Sequence, residues 1–263
     1  MSEPTITGDL DERSGWDQLA GFYYEFRSEG GKFNHQDRAR IGESGYVKEL
    51  IARIPLHGKR VLDAGCGFGY YAFIAADLGA TVTAVDFAPE MIERARSLAS
   101  ERHVQIDFQV GDVTDLSQLE SGTFEMVVSG MDLEIPDVSL AFAEFARVLN
   151  RSGRLVFSVP HPVIQHGTWH KNDKGEKDYF GLNDYFERGS YIAEWLNEHQ
   201  QPVRFRRYRR TIQDYVQALS KTGFVITQLF EGEPPAGCEK SDPELYADLH
   251  LAPTYLIVEA EKR

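Results

Sequence analysis

The chain has 263 residues, of which 42% are hydrophobic, 12% aromatic and 26% charged. That is apolar enough to offset the entropy of ordering and long enough for one large α/β domain with an insertion, which excludes a disordered chain. The formal net charge of −13 is opposite in sign to the basic face that grips nucleic acid, so a nucleic-acid partner is not expected.

The two cysteines, Cys66 and Cys238, have no CxxC partner. Neither a zinc site nor a disulfide framework is therefore expected. No stretch approaches the roughly 20 apolar residues of a membrane span, and Met1-Ser2-Glu3-Pro4 opens no signal-like apolar run. The expectation is a cytoplasmic chain without membrane contact.

Elements follow from periodicity. Apolar residues at 16, 19, 20, 23 and 26 have helical spacing, and Tyr46, Val47, Leu50, Ile51 and Ile54 mark a second helix. The next stretches alternate between strand and helix. Strands are expected at 60–64, 81–85, 104–110, 124–129 and 154–159, and helices at 70–78, 89–100 and 138–149. Pro89 suits a first helical turn, where a missing N–H costs nothing. Continuous apolar strands separated by helices describe a parallel sheet covered on both faces. With right-handed crossovers this is a doubly wound, Rossmann-like α/β fold.

Between His161 and Tyr208 aromatics, histidines and charges mix without a clean period, and the segment reads as an insertion. Thr211 and Asp214 resemble a weak capping box before a helix with Ile212, Tyr215, Val216 and Leu219 on one face. Strands follow at 224–230 and 254–260. The basic run Arg204, Arg206, Arg207, Arg209 and Arg210 reads either as a solvated face or as the rim of a site for an anionic substrate.

The chemistry-bearing stretch is Val61-Leu62-Asp63-Ala64-Gly65-Cys66-Gly67-Phe68-Gly69-Tyr70-Tyr71, a glycine turn between a strand and a helix. Glycines allow the tight bend and the close approach of a ligand. Tyr70 stands where a dinucleotide fingerprint needs its third glycine. Asp63 lies where a pyrophosphate would be repelled but an ammonium and a sulfonium would be welcome. Asp86 ends the next strand and suits ribose hydroxyls. Asp112, in Val110-Gly111-Asp112-Val113, suits an adenine amine. Each aspartate alone also fits a turn or a cap; it is their joint placement at three strand ends that points to a ligand.

VLDAGCGFGYYAFIAADLGATVTAVDFAPEMIERAR resembles the core of class I S-adenosylmethionine-dependent methyltransferases. VGDVTDL, FEMVVSGMDLEIPD and FARVLNRSGRLVFSVPHP resemble that family's later motifs in order and spacing. The likeness covers residues 16 to 160, and PTYLIVEAEK is similar to the family's last, antiparallel strand of a seven-stranded sheet. The resemblance implies S-adenosylmethionine as cofactor and S-adenosylhomocysteine as product. It places Asp63, Gly65, Cys66 and Gly67 at the methionine part, and Asp86 at the ribose with Phe87 and Met91 near the adenine. Gly111, Asp112 and Val113 would line the adenine edge, and Ser129, Gly130 and Met131 the pocket floor. Tyr23 resembles the lid tyrosine of such enzymes.

Methyl transfer needs alignment above all, and a base only where the acceptor loses a proton. Candidate catalytic residues are His161, at the end of a strand, Glu134, just past another, and Tyr23. His161 also fits a turn histidine that bonds the backbone. The aromatic insertion could grip a planar acceptor or pack as a plain lid. His161, His166 and His170 lie in irregular sequence, and no metal is assigned to them.

The expected organisation is an N-terminal helical lid at 1–57, a cofactor-binding core at 58–160, a substrate-capping insertion at 161–210, and a C-terminal helix and strand hairpin at 211–263. The expected function is methyl transfer to an oxygen, nitrogen or carbon atom of a small molecule. Two alternatives are a silent S-adenosylmethionine-binding protein and a nicotinamide-dependent oxidoreductase; Tyr70 and Asp63 speak against the latter.

Overall fold

In the strands β1 (Arg60–Ala64) and β2 (Thr81–Asp86) every residue after the first is buried. A strand apolar on both faces needs cover on both, and the fold supplies it. The computed structural model describes residues 14–19, 43–130, 133–175, 177–197, 199–234, 237–241 and 243–263.

β1 and β2 join β3 (Asp107–Val110), β4 (Phe124–Gly130), β5 (Leu149–Pro160), β10 (Phe224–Phe230) and β11 (Tyr255–Lys262) in one seven-stranded sheet. The order is β3-β2-β1-β4-β5-β11-β10. Pairings among β1 to β5 are parallel, and β11 runs antiparallel to both β5 and β10. This is the expected doubly wound sheet with its last strand reversed.

One face carries α1 (Glu43–Ala52), α2 (Tyr70–Asp77) and α3 (Pro89–Arg102), which bury Val47, Ile51, Ala72, Ile92 and Ala95 against the sheet. The other face carries α4 (Val138–Val148) and α6 (Ile212–Lys221). Phe142, Phe145 and Tyr215 of these helices pack with Phe157 of β5. Each such buried ring contributes about 1.5–3 kcal/mol. Thr211 caps α6 through a capping box completed by Asp214, whose Oδ2 accepts from the Thr211 N–H at 2.8 Å.

The segment after β5 departs from the sequence reading. It begins with the short helix α5 (Pro162–Gln165), and two antiparallel hairpins follow. These are β6 (Gly167–Lys171) with β7 (Lys177–Leu182), and β8 (Gly189–Leu196) with β9 (Pro202–Arg209). At the start of β9 the alternation is real, with Val203 and Phe205 buried, Pro202 and Arg204 exposed and Arg206 half-buried, but the arginines obscure it. Helices α7 (Cys238–Ser241) and α8 (Pro243–Leu251) precede β11 and have no counterpart in the sequence reading.

Residues 14–19 are helical and rest on the insertion. Leu19 is buried with Val203 and Phe205, and the Trp16 ring lies 4.9 Å from that of Phe205. The remainder of the expected helix over 16–26, including Tyr23, lies outside the described residues, as does Met131.

Candidate active site

The parallel strands leave their carboxyl ends along one edge, and the strand order reverses between β1 and β4. Open α/β sheets bind ligands at such a reversal. β1 runs into the glycine turn, where Gly65, Gly67 and Gly69 have φ of +71°, +54° and +89°. L side chains rarely adopt these angles, so the turn requires glycine. The three are not equivalent. A Cβ on Gly69 would lie 3.0 Å from the Phe108 ring, whereas one on Gly67 would meet nothing within 4 Å. Gly69 lets the turn pack; Gly67 faces open space.

Asp63 is buried, and its Oδ2 accepts from the Ala72 N–H in the first turn of α2 at 2.8 Å. A carboxylate at a helix N-terminus is favoured by the helix dipole. Asp86, at the end of β2, is also buried. Its Oδ2 accepts from the Gly67 N–H at 2.7 Å and its Oδ1 from the Ala88 N–H at 2.9 Å. Burial pushes its carboxyl up from 3.8 to about 6 against the pull of those two N–H groups, and nearby Asp17 adds to the rise. A carboxylate has about four acceptor positions, so two stay available to hydroxyl donors. Asp112 is exposed and closes a turn, its Oδ1 accepting from both the N–H and the hydroxyl of Thr114. Beside it Val113 is buried, and the Gly111 N–H donates to the Asp86 carbonyl.

Trp16 and Phe87 pack against Ala88 and Met91 at the start of α3, and Oδ1 of Asp17 accepts from the Glu90 N–H at 3.2 Å. The 14–19 segment thus bridges the start of α3 and the β8–β9 hairpin.

Cys66 is buried within the turn. At the end of β4, Ser129 is fully buried and its hydroxyl has no hydrogen-bond partner among the described residues. Gly130 lies so close under the Tyr71 ring that a Cβ there would fall 2.1 Å from it. The Tyr71 hydroxyl donates to Oε1 of the buried Glu43 at 2.5 Å, and the Ser158 hydroxyl donates to the same atom. This link between α1, α2 and β5 has no sequence signal, because its members stand 28 and 115 positions apart.

His161 is 1% exposed and caps α5. Its Nδ1 accepts from the Val163 N–H at 3.1 Å, so the proton sits on Nε2, 3.0 Å from Oε1 of Glu231. Burial lowers its pKa, with Glu231 opposing. In this arrangement neither ring nitrogen is left to take a proton. Glu134 is similarly engaged. Its Oε1 accepts from Nε and Nη2 of Arg207 at 2.8 and 2.6 Å, and its Oε2 from the Tyr208 N–H at 3.0 Å.

Internal bonds also absorb the basic run. Arg204 pairs with Glu194, Arg209 with Glu187 and Arg207 with Glu134. Arg206 donates to the Ser190 hydroxyl, and Arg210 to the carbonyls of Leu133 and Ile135. An open cavity of about 270 Å³ between Pro136–Ser139, Arg188 and α6 includes Arg188, Arg209 and Arg210, and Arg188 is held there by Asp214 at 2.9 Å.

Residues 61–153 match the family described as a methyltransferase domain. A ubiquinone biosynthesis O-methyltransferase of Xanthomonas oryzae pv. oryzae is 43% identical over 110 residues, which are 41% of this chain and 46% of that protein. The chain thus spans less than half the length of the curated relatives that it matches. An S-adenosylmethionine-dependent methyltransferase structure from Mesorhizobium loti superposes with a TM-score of 0.70 at 24% identity, over 84% of this chain and 97% of the other. A Listeria monocytogenes protein provisionally assigned to the same enzyme class gives 0.68 at 26% identity, over 82% and 96%.

Proposed function

From a chain that belongs, through residues 61–153, to the class I S-adenosylmethionine-dependent methyltransferases, we propose that the whole protein moves a methyl group onto an oxygen, nitrogen or carbon atom of a small molecule. One observation carries the reading: the open Gly67 turn is bonded to Asp86, which keeps acceptor capacity at the reversal of strand order.

The residues present fit the cofactor. Gly67 leaves room for close approach, the Asp63 carboxyl stands at the turn, and the Ser129 hydroxyl has no partner among the described residues. In the proposed arrangement Asp63, Gly65, Cys66 and Gly67 face the methionine part and Asp86 holds the ribose. Phe87 and Met91 flank the adenine, Gly111, Asp112 and Val113 line its edge, and Ser129, Gly130 and Met131 form the floor. Tyr23 would close over the site together with the 14–19 segment. When bound, S-adenosylmethionine supplies an electrophilic methyl on a sulfonium.

The chain's own contribution is to bind, orient and exclude water, which in well-oriented model reactions is worth about 7–11 kcal/mol. His161 and Glu134 shape the acceptor side as positioning residues, His161 by holding α5 and Glu134 by tying the β8–β9 hairpin to the loop after β4. The acceptor then brings its own nucleophile or loses its proton to solvent. The relatives' names support a small-molecule acceptor, and the net charge of −13 opposes a nucleic-acid one. Among the described residues no helix is long and apolar enough to cross a membrane.

The engagement of both His161 and Glu134 also favours a second reading, a binding protein without turnover. Incubation with methyl-labelled S-adenosylmethionine and fractionated small-molecule extract separates the two. Labelled product supports the enzyme; S-adenosylhomocysteine binding without any labelled product supports the silent protein.

A further inference from the structure

On the β5–β11 side of the same edge two buried atoms, Oε1 of Gln165 and Oγ1 of Thr254, have no hydrogen-bond partner among the described residues. Such groups are few in folded proteins, and each costs free energy unless something completes it. Gln165 is 8% exposed. Both residues sit against His161, whose backbone N–H donates to the Thr254 carbonyl at 2.9 Å and whose carbonyl accepts from the Gln165 N–H at 3.3 Å. Pro160 and Tyr255 are register partners, so His161 and Thr254 stand level where β5 ends and β11 begins. That edge is two strands from β1 and its glycine turn, with β4 and its unpartnered Ser129 hydroxyl between.

We propose that Gln165 and Thr254 form a subsite that fixes the methyl acceptor by a hydrogen-bond-donating hydroxyl or amino group. The proposal rests on the methyltransferase reading above. Oε1 of Gln165 can only accept, so its partner is a donor, and the Thr254 hydroxyl can accept from or donate to the same group. A carboxylate or phosphate offers Oε1 nothing to accept. The acceptor class is therefore a small molecule with an O–H or N–H handle besides the atom that is methylated. A site with buried acceptors discriminates strongly against analogues that lack the donor.

The test uses Thr254→Val and Gln165→Met, which keep shape and remove the orphaned oxygen. A group unsatisfied in the free protein destabilises it, so each variant is expected to melt about 2–4 °C above the wild type. S-adenosylhomocysteine affinity is expected to be unchanged. Catechol and 2-aminophenol serve as two-donor probes, with phenol as the analogue one donor short. The wild type is expected to favour the two-donor probes by about tenfold or more in kcat/KM, and the variants to lose that preference. Variants that melt below the wild type, or a wild type with no such preference, overturn the subsite. A wild type that does not bind S-adenosylhomocysteine overturns the methyltransferase reading instead.

Discussion

The backbone N–H of Gly67 donates to Oδ2 of Asp86 across 2.7 Å, so the turn after β1 and the acid that ends β2 move as one unit. The carboxylate keeps acceptor capacity for hydroxyls while the turn keeps its open backbone. Burial holds its pKa near 6, against an ordinary 3.8.

Asp86 therefore makes binding pH-dependent. Ribose hydroxyls donate to a carboxylate better than to a carboxyl, so S-adenosylhomocysteine affinity is expected to be flat from pH 8 to 7 and to fall below about pH 6. Stability linked to this group runs the other way. The folded pKa is raised, so the native state binds the proton more tightly and the fold gains as pH falls from about 6 to 4. Asp86→Asn should weaken binding about tenfold at pH 7.5 and flatten the profile, as read by calorimetry across pH 5 to 8.

The glycines of the turn should separate by readout. Gly69→Ala forces a Cβ against Phe108 at φ +89° and is expected to cost about 2–3 kcal/mol in urea unfolding. Gly67→Ala meets no neighbour and is expected to cost about 1 kcal/mol, mostly from its φ. Its larger effect should be on S-adenosylhomocysteine affinity. Equal stability losses with unchanged affinity would count against the cradle.

Glu134 is expected to act through Arg207. The pair is half-buried, and Glu134→Ala would leave the Arg207 guanidinium without this partner, so the variant should lower Tm by several degrees and expose the β8–β9 hairpin to protease. A variant of wild-type stability with abolished turnover would instead make Glu134 a catalytic acid or base.

For His161 the capping geometry gives a rescue experiment. His161→Ala should lose about 1 kcal/mol of stability, and His161→Asn, which can still accept from the Val163 N–H, should recover most of it. Its lowered pKa keeps the ring neutral across pH 7 to 8, so kcat should not titrate with it there. A kcat that the Asn variant fails to restore despite recovered stability would point to proton transfer by the ring.

The sheet was legible because its inner strands β1 and β2 are buried on both faces, and an apolar run that closes on an aspartate, at Asp63 and at Asp86, has few other uses. The glycine turn was legible for a similar reason: Gly65, Gly67 and Gly69 all need positive φ. The insertion was not. Its hairpins bury one face only in part, and alternation such as Val203-Arg204-Phe205-Arg206 is masked when the polar face is arginine throughout. Nor could spacing reveal that Glu43 meets Tyr71 and Ser158, or that Gln165 and Thr254 flank His161, because those contacts are made by topology. Sequence named His161 and Glu134 for their place at strand ends; what it lacked was their partners, Glu231 and Arg207, which lie 70 and 73 positions away.

The most direct test is a calorimetric titration of the wild-type protein with S-adenosylhomocysteine at pH 7.5, run beside NADH. Saturable one-to-one binding of the first and no heat from the second is the expected result. Binding of NADH with indifference to S-adenosylhomocysteine would contradict the account, because the open turn and its paired acid would then serve a different ligand.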